Sequence, residues 1–203
     1  MKRYLPRRLV VFWGTLALAT PFSIALLDKP VALYFARLQA WRLLFDACAA
    51  PSLLALPLSG LYLAWAVMQK LRGQLRGETA LNRVALAMSL ATMAGTAAKD
   101  ELKWIIGRSW PAFWLKDGIY GFHPFSNSFY YGSFPSGHTA YISAPLAVLW
   151  ALQPRLRPVC GAVIALVMFG LVAGNYHYLG DVLGGLITGS VCAWGTLMLL
   201  RRD

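Results

Sequence analysis

Apolar residues gather into long stretches along this chain instead of alternating with polar ones. Stretches of roughly 15 to 20 residues, the length that crosses a hydrocarbon core of about 30 Å, fall at 9–27, 51–68, 83–102, 138–152, 159–176 and 182–200. They predict six helical spans packed as one all-α, integral membrane six-helix bundle, a single domain over 1–203. After the first span, 31–50 keeps a moderately apolar helical pattern but is interrupted by Arg37, Arg42 and Asp46. That suits an interfacial amphipathic helix better than a span. From Gly107 to Gly137 the chain changes to Gly, Pro, Ser, Asn and aromatics, its only long irregular loop. Connections of this length are uncommon unless functional. Its aromatic residues, Trp110, Phe113, Trp114, Tyr120, Phe129 and Tyr130 among them, could form a lid over a site, or a belt that anchors the loop at the interface.

Composition agrees with the pattern: 58% hydrophobic and 13% charged over 203 residues is too apolar for an ordinary soluble domain. The net charge of +11 would invite a nucleic-acid partner, but the basic residues sort by membrane side. Lys2, Arg3, Arg7 and Arg8 precede the first span, and Lys70, Arg72, Arg76 and Arg83 lie between the second and third. Arg155 and Arg157 separate the fourth and fifth, and Arg201 and Arg202 follow the sixth. All fall on one side, which the positive-inside rule makes cytoplasmic. The expectation is no nucleic acid, both termini cytoplasmic, and the 103–137 loop and His177 region outside. In a bacterial cell that means an inner-membrane protein with a periplasmic site. The basic start and first apolar run could also be a secretory signal, but Leu26-Leu27-Asp28-Lys29-Pro30 offers no small-residue cleavage signature, so an uncleaved anchor is expected.

That topology collects the polar residues with chemistry on one face. Phe134-Pro135-Ser136-Gly137-His138 offers backbone amides for an anion beside an imidazole that can donate a proton. His177, followed four residues later by Asp181, pairs a nucleophile with an orienting carboxylate. Lys103, or Lys99 one turn earlier, and Arg108 supply positive charge. Asp181 could also cap its helix. His123 fits no such pattern and reads as a loop residue. Cys48, Cys160 and Cys192 read as small core residues, and Gly184, Gly185 and Gly189 as a close-packing stripe.

These motifs resemble the type 2 phosphatidic acid phosphatase superfamily, which shares its site with glucose-6-phosphatase and the vanadium haloperoxidases. The family pattern is Lys, six residues, Arg-Pro; then Pro-Ser-Gly-His; then Ser-Arg, five residues, His, three residues, Asp. This chain keeps Lys103 and Pro111, the whole of Pro135–His138, and His177 and Asp181. Trp110 stands at the first arginine position and Gly170-Leu171 at the Ser-Arg pair. The resemblance implies in-line attack by His177 on phosphorus, a phosphohistidine hydrolysed by water, Asp181 fixing the tautomer, and His138 as general acid. Lys103, the Ser136 hydroxyl and the amides around Gly137 and His138 would hold the phosphate. The scheme needs no metal and no cofactor. Arg108, swinging in from a Gly- and Pro-containing segment, and Asn175 are the candidates to replace the missing arginines.

The expected function is a lipid phosphatase or diphosphatase at the outer face. The family offers undecaprenyl diphosphate, phosphatidic acid, phosphatidylglycerol phosphate or a lipid A phosphate as substrate, without choosing. A phosphotransferase using the same histidine and a non-catalytic lipid-phosphate binder are the alternatives. A haloperoxidase fits poorly, those relatives being soluble. The partners expected are the lipid substrate and membrane lipids, with oligomeric state left open.

Overall fold

A computed structural model describes residues 7–73 and 79–200; Lys2, Arg3, Arg76, Arg201 and Arg202 of the charge pattern lie outside them. Seven helical runs follow one another: α1 (Arg7–Ala36), α2 (Gln39–Leu71), α3 (Ala80–Ile106), α4 (Pro111–Asp117), α5 (Gly137–Leu152), α6 (Pro154–Ala173) and α7 (Leu179–Leu200). No strand forms among the described residues; two isolated bridges, Arg108 with Phe122 and Ser109 with Tyr131, tie the 107–136 loop together.

Helices form at all six apolar stretches, but four of them, α1, α2, α6 and α7, are long and apolar enough to cross a membrane. The other two differ for physical reasons. α3 ends on Lys99, Asp100, Glu101 and Lys103, and α5 is 16 residues long and carries small and polar residues. α5 packs against α3, α6 and α7, and Thr139, Ala140, Ser143, Ala144 and Val148 are buried there. A helix surrounded by protein needs close fit more than lipid-like hydrophobicity. Gly185 of α7 provides that fit: a Cβ there would stand 2.5 Å from the Ser136 carbonyl oxygen and 2.8 Å from Thr139 Cβ.

The separate interfacial helix expected at 31–50 does not form. The first helix runs on to Ala36 through a π-helical turn, Ser23–Leu27, in which the Asp28 N–H bonds the Ser23 carbonyl. A widened turn accommodates Pro30, which cannot donate to the preceding turn. The chain reverses at Arg37 and Leu38, and 42–49 opens α2. Two of the three charges that interrupt the apolar pattern satisfy each other, Arg42 Nε donating to Asp46 Oδ1 at 3.0 Å. This segment packs on α6 at Gly170, where a Cβ would stand 2.6 Å from both the Ala49 nitrogen and the Phe45 oxygen.

Candidate active site

The first turns of α5 and α7 lie side by side, joined by the Ser136 N–H donating to the Asp181 carbonyl at 2.9 Å. Ser136 is the N-cap of α5: its hydroxyl accepts from the Thr139 N–H at 3.4 Å and from the Thr139 hydroxyl at 3.1 Å. It is fully buried, so this side chain fixes the helix start instead of facing the cavity. Gly137 and His138, next in sequence, do line that cavity. At α7, Asp181 Oδ2 accepts the Tyr178 N–H at 2.9 Å. It therefore caps the helix as well as facing the histidine.

His177 sits between these turns, 3% exposed. Its Nδ1 lies 3.6 Å from Asp181 Oδ2 and 3.4 Å from Ser133 Oγ, while Ser133 Oγ donates to Asp181 Oδ2 at 2.5 Å. With the serine proton committed to the carboxylate, the Nδ1 proton belongs on the side of Ser133 and Asp181, leaving Nε2 free with its lone pair. Burial pushes the His177 imidazole below its ordinary value; the Asp181 hydrogen bond and charge oppose that, and Lys103 adds to it. The ring is neutral at neutral pH, as a nucleophile must be. The His138 ring faces it with centroids 6.5 Å apart.

Arg108 is not where sequence reasoning put it. Its side chain is fully buried and absent from the cavity wall. Nη1 donates to Asp181 Oδ1 at 2.7 Å and Nη2 to Asp28 Oδ2 at 2.6 Å, with the guanidinium 4.3 Å from the Tyr178 ring centre. Burial alone would lower its pKa, but the two carboxylates hold it above the ordinary arginine value. Its backbone carbonyl accepts from Gly132 N at 2.8 Å and Ser133 N at 2.9 Å. One residue thus ties the aromatic loop to the carboxylate behind His177.

The cavity in front of the two histidines measures about 660 Å³. Lys99, Lys103 and Arg42 are its cations. Lys103 bonds the Gly132 carbonyl and stands 4.6 Å from the Trp110 ring centre, and Lys99 pairs with Asp100. Trp110, at the family's arginine position, packs 5.1 Å from the His177 ring and donates to the Phe129 carbonyl at 3.2 Å. Asn175 lines the cavity and donates to the Ala32 carbonyl at 3.2 Å, in a left-handed conformation, φ 52°, that asparagine tolerates. Phe113 and Phe129 of the aromatic loop also form the wall. His123 instead stacks on Tyr131 at 4.0 Å. No group of three or more His, Cys, Asp or Glu able to hold a metal occurs among the described residues.

Sequence reasoning missed Ser133, Asp28 and Arg42. Ser133 could have been suspected from its place two residues before Pro135. Asp28 and Arg42 sit in segments read as membrane boundary and interface. Arg42, 4.3 Å from the Tyr176 ring centre, reaches the cavity because the 42–49 segment packs so closely on Gly170.

Comparison with known proteins adds an independent line. A family model described as the PAP2 superfamily matches residues 81–203. Two curated relatives are lipid A 1-phosphatases, from Rhizobium johnstonii, 36% identical, and Rhizobium etli, 35% identical, each over 97 residues. The aligned segment is 48% of this chain and 38% and 40% of those relatives, so the match spans well under half of their length. No solved structure matches the chain significantly.

Proposed function

The chain belongs to the PAP2 superfamily, and on that premise we propose that it is a membrane lipid phosphatase acting through a phosphohistidine, with a lipid phosphomonoester as substrate. The observation that carries this reading is the pair of facing histidines, His177 backed by Asp181 and Ser133 with Nε2 free, and His138 across the gap. Both rings border the same cavity of about 660 Å³, from which a phosphoryl group would come within the roughly 3 Å of Nε2 that attack needs.

Nε2 of His177 attacks phosphorus, the bond to the lipid oxygen breaks, and that oxygen takes a proton from His138. Water then gives a proton back to His138 and attacks the phosphohistidine, releasing phosphate and restoring His177. Lys99, Lys103 and Arg42 surround the cavity and would offset charge on the phosphoryl oxygens, with the Gly137 and His138 amides and Asn175 as neutral donors. Arg108 and Ser136, both buried away from the cavity, take supporting roles in this scheme. The Rhizobium relatives act, by name, on lipid A at its 1-phosphate; a phosphorylated glycolipid is therefore the first substrate to try.

The membrane arrangement belongs to the same proposal. Arg8 and Arg157 line a second cavity, at the ends of α1, α5, α6 and α7 opposite to the histidines. Basic residues at that end support a cytoplasmic placement there and an outer, periplasmic site if the cell is bacterial. Six helices crossing the bilayer fit that arrangement, α5 being mostly enclosed by the others.

The test is phosphate release by purified, detergent-solubilised protein from lipid A, phosphatidic acid, phosphatidylglycerol phosphate and undecaprenyl diphosphate, with excess chelator, beside His177→Ala. The expected result is release from a phosphomonoester, lowered by about 10⁴-fold or more in the variant and indifferent to chelator. Loss of lipid phosphate without free phosphate would replace hydrolysis with transfer, and no turnover of any lipid by folded protein would sink the catalytic reading.

A further inference from the structure

Asp28 is a buried carboxylate that the proposed chemistry does not use. It lies in α1, 1% exposed, and outside the segment that the family model matches. Two of its three side-chain bonds lead to the site. Oδ2 receives Arg108 Nη2 at 2.6 Å, and Oδ1 receives the Ser23 hydroxyl at 2.7 Å and the Gly180 N–H at 2.8 Å. Gly180 directly precedes Asp181. A Cβ at that glycine would stand 2.9 Å from Asp28 Oδ2, so α1 and the start of α7 meet in a fit that only glycine permits.

We propose that Asp28 is a positioning residue of this site: through Arg108 it holds Asp181 in register with His177 and sets how much of the Asp181 charge reaches the imidazole. Electrostatics couples these groups. Asp181 Oδ2 faces His177 and Oδ1 faces Arg108, so the guanidinium competes with the imidazole for one carboxylate. Asp28, on the other arm of the same guanidinium, draws part of that positive charge away. In a buried setting such competition is strong, because little solvent screens it. The other charged or titratable groups near His177 are Lys103, His138 across the cavity and Lys99 beyond, none of which touches Asp28.

This inference rests on His177 as the reacting group, but its test does not need turnover. The chain has three histidines, so ring-labelled histidine gives few NMR signals, and the His177 titration can be followed in detergent. Asp28→Asn keeps an oxygen for Ser23 and Gly180 but loses the charge, so Arg108 falls wholly on Asp181. The His177 titration, and the acid limb of kcat if there is turnover, then move down by about one pH unit, with kcat about tenfold lower and KM little changed. Arg108→Gln frees Asp181 and moves the same titration up. Opposite directions from two ends of one ion pair are a signature that a merely structural role does not produce. Unmoved titrations, or two shifts of the same sign, would overturn the proposal even in an active enzyme. If Asp28→Asn does not fold, Asp28→Glu, which keeps the charge but displaces it from Arg108 and Gly180, decides: a shifted His177 titration supports the role, and an unmoved one removes it. Absence of lipid turnover alongside opposite shifts would sink the phosphatase reading and leave this one standing.

Discussion

The first two helices, α1 and α2, and the later α3–α7 differ in how far they are enclosed by the rest of the protein. In α1 and α2 only 11% of each apolar window is buried within the protein, against 33% for α6 and 39% for α7. The first two helices are mostly an outward-facing wall, and the later helices hold both histidines and most of the cavity lining. Yet the wall touches the site at two charged points, Asp28 against Arg108 and Arg42 at the cavity. A family's motifs can thus sit in one part of a chain while the charges that complete them come from another.

Four substitutions would break or sharpen that contrast. The largest effect is expected in the later helices: His138→Gln lowers kcat by about 10²- to 10⁴-fold, the range for a lost general acid, with folding retained by thermal melt. Near-normal turnover would take the proton donor out of this unit altogether. Next, Gly185→Val places side-chain atoms against the Ser136 carbonyl and Thr139, and is expected to destabilise the protein by about 1–3 kcal/mol, read as a lower melting temperature in detergent. The corresponding change on the wall, Gly60→Val, meets no atom within 4 Å and leaves melting nearly unchanged; equal losses would erase the distinction. The smallest effect is expected for Arg42→Ala, which removes one charged donor from the wall's side of the cavity. A charged hydrogen bond contributes about 1.5–3 kcal/mol, and Arg42 is partly exposed and shared with Asp46. A KM rise of roughly tenfold with kcat retained is expected; an unchanged KM would remove Arg42 from substrate binding.

Much of the later unit was legible because its signals are local. Gly137 and His138 are consecutive, His177 and Asp181 lie four residues apart, and Gly185 sits in a visible small-residue stripe, whereas the Ser136 hydroxyl, expected at the phosphate, caps a helix instead. Each needs only a neighbouring residue to make sense. Arg108 was legible as a cation near the site, but not its direction, because its partners Asp28 and Asp181 are 80 and 73 residues away. No periodicity encodes such pairing. Asp28 followed a long apolar run, which made it look like a membrane edge, and the π-helical turn that keeps the helix going leaves no composition signal. Arg42 and Asp46 read as an interface because a charged pair at helical spacing looks the same whether it faces headgroups or a cavity. Trp110 was read as standing at an arginine position, but that its ring would pack on His177 depended on the fold of the whole loop.

The ion pair between Asp28 and Arg108 also bears on modularity. A domain cut to the recognised segment, 81–203, would keep both histidines and every motif residue while leaving Arg108 with one carboxylate in place of two. Breaking a buried pair costs about 3–5 kcal/mol, a large part of what holds a domain of this size together. The recognisable family segment is thus not a transplantable cassette, and grafts or fusions should carry the first helix with it.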